Sequence, residues 1–162
     1  MIDQILANLD SQERTQRVLL RGSDETSIAW WLSQMVEGYT GPIIFIGAEM
    51  RRLRQIEKNL SYFLRSSENG AESLFFFPEW DVYPFARISP SSGVVGERMA
   101  ALDFLFSGKP GVILTTPEAV SCRIPPISRF RNASIGLGEG DDVDRDRLIS
   151  DLERLMYMRR SI

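Results

Sequence analysis

Asp24 and Glu25 stand in the stretch RGSDETSIAWW, just after the short apolar run RVLLRG (Arg17 to Gly22). In a parallel α/β fold the turn after the first strand is where nucleotide phosphates sit. Glycines there bring backbone N–H groups close, and a Lys with a Ser or Thr handles charge and magnesium. This turn has one glycine, no lysine and two carboxylates. Carboxylates facing a triphosphate repel it, and no cation lies nearer in sequence than Arg21. The pattern predicts a capped strand-to-helix turn in a nucleotide-binding position that lacks nucleotide chemistry, and so no bound cofactor and no catalytic residue.

Other chemistry-bearing clusters carry plainer readings. Thr115, Thr116 and Glu118 in LTTPEAV fall at the carboxyl end of an apolar run, the side on which open α/β sheets bind ligands, but Thr-Pro also starts a helix with a cap and a proline in its first turn. The acidic GEGDDVDRD is dense enough in carboxylates to suggest a metal, yet it lacks the ligand order of a calcium loop and reads as a solvated turn. Arg51, Arg52 and Arg54 read as one exposed helical face, with nucleic-acid binding as the weaker alternative. The single Cys122 and the absence of histidine exclude a disulfide framework, the usual Cys/His zinc site and any imidazole-based triad.

The elements that must position these residues follow from periodicity. Ile28, Trp31, Leu32 and Met35 share a helical face, with Asp24, Thr26 or Ser27 as the cap. GPIIFIGA is continuously apolar, as in strands covered on both faces. Met50, Leu53, Ile56 or Glu57, Leu60 and Leu64 describe an amphipathic helix. SLFFFPE reads as a strand stopped by Pro78, GVVGERMAALDFLFSG as a helix closed by Gly108, and GVILTTPEAV as a strand running into Pro117. This β-α-β-α-β-α-β order predicts an α/β fold, a parallel sheet with helices on both faces. Beyond SCRIPP, residues 133–137 read as one more strand. A helix capped by Asp144 follows, carrying Leu148, Leu152 and Leu155 on one side. Its apolar stripe lacks a sheet to cover, so the expectation is one domain over residues 1–128 and the start of a second, cut short, over 129–162.

The chain has 162 residues, 43% hydrophobic and 25% charged, with a net charge of −3 that supplies no general field for nucleic acid. No apolar run approaches the roughly 20 residues of a membrane helix, and Met1 to Asp10 lacks the basic start and apolar centre of a signal peptide. The expected location is the cytoplasm, away from membranes.

The first turn, FFFPEWDVYPFARISPSSGVVGERMAAL and GVILTTPEAVSCRIPP together resemble the amino-terminal module of the bacterial transcription-repair coupling factors (Mfd), which is similar to the first domain of the excision-repair helicase UvrB. The family pattern runs through Pro78, Glu79, Trp80, Asp81, Tyr83, Pro84, Ser89, Pro90, Arg98 and Leu102 in order. The stretch from Ile135 to Ile162 resembles the start of the family's second domain, with Met156 where the pattern has glycine before Tyr157.

The resemblance implies a degenerate helicase-like fold without ATP-binding residues, in a protein whose translocation and RNA polymerase contact belong to domains absent here. It implies UvrA as a partner through the second domain, with Arg159 and Arg160 nearest the family's basic position, and DNA contact only through other domains. UvrB carries an aromatic DNA-gripping hairpin in the corresponding region. Here the link from Trp80 to Gly93 is short, and Trp80, Tyr83 and Phe85 read as a buried clasp over the strand ends, with base stacking beside Arg87 as the alternative. Two other functional classes remain open at this point: the front of an active UvrB-type ATPase, and an unrelated α/β domain that binds a small molecule.

Overall fold

The computed structural model describes residues 22–65, 73–83, 85–155 and 157. The expected first strand lies outside them apart from Gly22, as do Pro84, Arg159 and Arg160. The described residues fall into two compact units that divide between Arg123 and Ile124.

In the first unit α1 (Glu25–Gly38) leads to β1 (Pro42–Ile46), α2 (Met50–Leu64), β2 (Leu74–Phe77), α3 (Ser92–Ser107), β3 (Gly111–Thr115) and the short α4 (Pro117–Val120). The sheet order is β1-β3-β2 and both pairings are parallel. The last strand in sequence therefore sits in the middle, and each crossover carries a helix, as parallel pairing requires.

The register explains the layers. Ile43, Phe45, Phe76, Val112 and Leu114 face α1 and α2, where Ala29, Leu32, Leu53, Ile56, Leu60 and Leu64 complete the core. On the opposite face Phe75 stacks on Phe104 of α3 with ring centroids 4.4 Å apart. The helix on that face packs on β2, so Ile44 and Ile46 of the β1 edge remain exposed. Central β3 is buried along its whole length, which accounts for its unbroken apolar run. Gly111 is required at its start, because a Cβ there would run into the Ser73 carbonyl and the Phe104 ring.

Local signals set the helix boundaries. Ser91 caps α3 by accepting from the Val94 N–H, and Gly108 closes it in the left-handed conformation at φ 71°. Thr116 caps α4 with Pro117 in its first turn, the structural alternative for LTTPEAV.

The second unit contains α5 (Ile127–Asn132) and α6 (Arg145–Arg154), the latter capped by the Asp144 carboxylate, which accepts from the Asp146 and Arg147 N–H groups. The strand expected over 133–137 is absent: that segment is irregular, and Ile135 and Leu137 are exposed. Alternating apolar residues make a strand only beside a pairing partner, and none lies alongside among the described residues.

Candidate functional site

The site forms where β2 and β3 end. β2 stops at Phe77 because Pro78 cannot donate to a ladder, and β3 hands over to α4 at Thr116. Between these ends the Thr115 hydroxyl donates to the Phe77 carbonyl at 2.9 Å. The Thr116 hydroxyl lies 3.3 Å from Glu79 Oε1, to which it donates, while accepting from the Ala119 N–H. Both threonines are buried, so their hydroxyls are paired as burial demands.

Arg98 anchors the loop that follows. It projects from α3, is 2% exposed, and its Nη1 donates to the Pro78 carbonyl. Its guanidinium lies 3.9 Å from the Phe77 ring centroid and 4.2 Å from that of Trp80. Desolvation pulls its pKa below the ordinary value, and two aromatic faces and a carbonyl supply the negative potential that holds the cation there. Asp81 fastens the next residue: both its carboxylate oxygens lie 3.2 Å from the Ser91 N–H, at the N-cap of α3. Hydrogen bonds from the Ser91 side chain and backbone hold the Asp81 pKa below its ordinary value.

Beyond Asp81 the chain turns outward. The Ala86 N–H donates to the Tyr83 carbonyl at 3.0 Å, and Phe85 inside that turn has φ 69°, a left-handed conformation unfavourable for a bulky side chain. Tyr83 is 88% and Phe85 102% exposed, while Trp80 is 37% exposed. The buried clasp is therefore corrected. The space over the strand ends is taken by the Arg98 guanidinium and the two threonines, so only Trp80 packs inward, by one face, and Tyr83 and Phe85 stand in solvent. An open cleft of about 850 Å³ lies beside them, lined by Glu79, Trp80, Asp81, Tyr83, Glu118 and Cys122 among others.

At the turn before α1, Asp24 is the cap: its Oδ1 lies 2.7 Å from the Ser27 N–H, and hydrogen bonds from Ser27 lower its pKa. Glu25 pairs with Arg52 at 2.6 Å, binding α1 to α2. Arg54 pairs with Glu57 at 3.0 Å and Glu97 at 3.5 Å, with its guanidinium over the Phe76 ring. Arg51 is exposed beside them, so the arginine cluster is a solvated face. The GEGDD segment is likewise exposed, and among the described residues no three His, Cys, Asp or Glu side chains are grouped to hold a metal. No helix among them is long and apolar enough to cross a membrane.

Arg98 had a signal in the sequence that periodicity alone leaves unread. It is a lone cation on the helix face that carries Ala101 and Leu102, where burial requires a dedicated partner. Glu118 carried a signal in its place at the carboxyl end of β3, whereas Cys122 had none, since only the hand-over from β3 to α4 brings it into the cleft with Trp80.

Known proteins bear on this arrangement. No family model matches the chain. A transcription-repair-coupling factor of Myxococcus xanthus is 25% identical over 152 residues, covering 92% of this chain and 13% of that protein. The transcription-repair-coupling factor of Escherichia coli K12 is 20% identical over 126 residues, 78% of this chain and 10% of its own length. That of Staphylococcus aureus USA300 is 23% identical over 120 residues, 74% of this chain and 10% of its own. The chain thus spans only about a tenth of the length of these relatives. With a parallel α/β unit in which β2 runs into the Pro-Glu-Trp-Asp segment beside Arg98, the chain is similar to part of the transcription-repair coupling factors.

Proposed function

We propose that the chain is a non-catalytic binding module of a transcription-repair coupling factor, one that helps recruit UvrA to a stalled RNA polymerase for nucleotide excision repair. The observation that carries the non-catalytic part is the Asp24 carboxylate on the N-terminus of α1, with Oδ1 2.7 Å from the Ser27 N–H. A helix N-terminus attracts an anion through its free N–H groups and its dipole. Here the chain's own carboxylate takes that role, and Glu25 beside it is held by Arg52. The recruiting part rests on the likeness to the coupling factors, with Arg159 and Arg160 as the partner-facing residues, since a planar guanidinium pairs with carboxylates in two-pronged fashion.

Two measurements test the reading. Titration with a fluorescent ATP analogue and magnesium is expected to give no saturable signal, and binding at micromolar concentration would return the chain to the UvrB-type ATPase class. Capture on immobilised UvrA is then compared for this chain and for a version extended through the second domain, each with and without Arg159→Ala. The extended form is expected to bind, and the substitution to weaken it by about 2 kcal/mol if Arg159 is a hot spot. Equal affinity of both lengths would move the partner site into the first unit and remove Arg159 from it.

A further inference from the structure

We propose that the cleft beside Trp80 and Tyr83 docks a cationic polypeptide segment, one that lays arginine or lysine side chains against its aromatic and carboxylate wall. The proposal uses first-unit residues only and stands or falls independently of UvrA recruitment.

Charge complementarity selects the occupant. Glu79, Asp81 and Glu118 all line the cleft, with no Lys or Arg among the described residues that line it. The cation set against this wall is Arg98, buried behind the Trp80 ring, which leaves three carboxylates to one guanidinium. Glu79 accepts from the Thr116 hydroxyl and Asp81 from Ser91, so each carboxylate keeps lone pairs for another partner, and Glu118 is exposed. A phosphate backbone would meet like charge here, so single-stranded nucleic acid is disfavoured as the occupant despite the aromatics.

Ring chemistry points the same way. Tyr83 and Phe85 are the most exposed aromatics of the first unit, and with Trp80 and Ile88 they crowd one loop. Exposed apolar residues clustered in this way mark interaction sites, whereas single ones carry no such meaning. Phe85 is also held at φ 69°, where glycine would be relaxed, so the ring is presented at a conformational cost. The molecule already contains the pairing in miniature: Arg98 sits over two rings of this same region, 3.9 and 4.2 Å from their centroids. A second guanidinium or ammonium on the cleft side would repeat that contact and add carboxylate partners. At about 850 Å³ the cleft accommodates several side chains of an extended segment.

The test is fluorescence anisotropy of the full chain with a labelled arginine-rich peptide. A glutamate-substituted peptide of the same length and a labelled single-stranded oligonucleotide serve as competing probes. Tyr83→Ala is expected to weaken the arginine peptide about tenfold and Glu118→Gln about threefold, magnitudes usual for cation–π and charge contacts at an interface. Phe85→Gly relieves the backbone and removes the ring, so it is expected to melt no lower than the parent while binding more weakly. Two controls separate a site from general attraction to an acidic chain: Tyr62→Ala, an aromatic 70% exposed on α2, and Asp142→Asn in the second unit are expected to change nothing. Equal losses at Tyr62 and Tyr83, or unchanged binding in Tyr83→Ala and Glu118→Gln, would overturn the proposal. Preference for the oligonucleotide would replace it with base stacking.

Discussion

At the scale of single residues, Arg98 and Trp80 are neighbours with unequal roles. Arg98 is enclosed on nearly all sides and joins α3 to the end of β2 through the Pro78 carbonyl and two rings. Truncating it removes a long packed stem as well as the charge, so Arg98→Ala is expected to cost about 2–5 kcal/mol, the range for large-to-alanine core changes. Trp80 is 37% exposed and packs by one face, so Trp80→Ala is expected to cost about 1 kcal/mol, mostly the cation–π contact. Urea denaturation of the two variants checks the ranking, and equal losses would mean that Arg98 is held by something other than the rings. Arg98→Lys is expected to fall between them, because an ammonium keeps the charge but cannot lie flat between two aromatic faces.

At the scale of elements, the turn before α1 carries a pH dependence. The folded-state pKa of Asp24 lies below the ordinary 3.8, through hydrogen bonds from Ser27. A lowered pKa means that the charged form is favoured in the folded state. The stabilisation is therefore complete above the unfolded value and is lost as pH falls through the folded one. Asp24→Ala is expected to melt below the parent at neutral pH, with the gap closing as pH drops from about 4 toward 2. Asp81, lowered by Ser91, and Glu25, lowered by its own backbone N–H and by Arg52, add to the parent's acid sensitivity in the same direction. A gap between parent and variant that stays constant down to pH 2 would show that the cap acts through geometry alone.

At the scale of the whole molecule, a net charge of −3 is combined with a pairing of Arg52 and Arg54, two of the three clustered arginines on α2, to carboxylates within the chain. Duplex DNA is retained by proteins through many unneutralised cations and released counterions. The chain is expected to show no duplex shift in a gel or anisotropy assay at about 0.15 M salt, with at most weak binding at low salt. A salt-resistant shift would relocate DNA contact into this module and give Arg51, Arg52 and Arg54 an interface role.

By itself the sequence determined the parallel α/β class, because β-α-β order with unbroken apolar strands leaves little else for the chain to bury. It also pointed to the caps Thr116 and Asp144 and narrowed the first to Asp24, Thr26 or Ser27, of which the structure selects Asp24, because a short oxygen-bearing side chain meets the free N–H groups of a helix. These are local effects, settled within a few residues. The strand expected over 133–137 failed because strand formation depends on a neighbour, and alternation in one segment carries no information about whether a neighbour is alongside. The aromatic loop failed for a related reason. Trp80, Tyr83 and Phe85 are alike in apolar character, and only the tertiary placement of Arg98 over the end of β2 decided which of them found room inside. With that room filled by a guanidinium, Tyr83 and the carboxylates of Glu79 and Glu118 were brought to one cleft by the side-by-side pairing of β2 and β3, whose ends at Phe77 and Thr115 meet although 38 residues separate them in sequence.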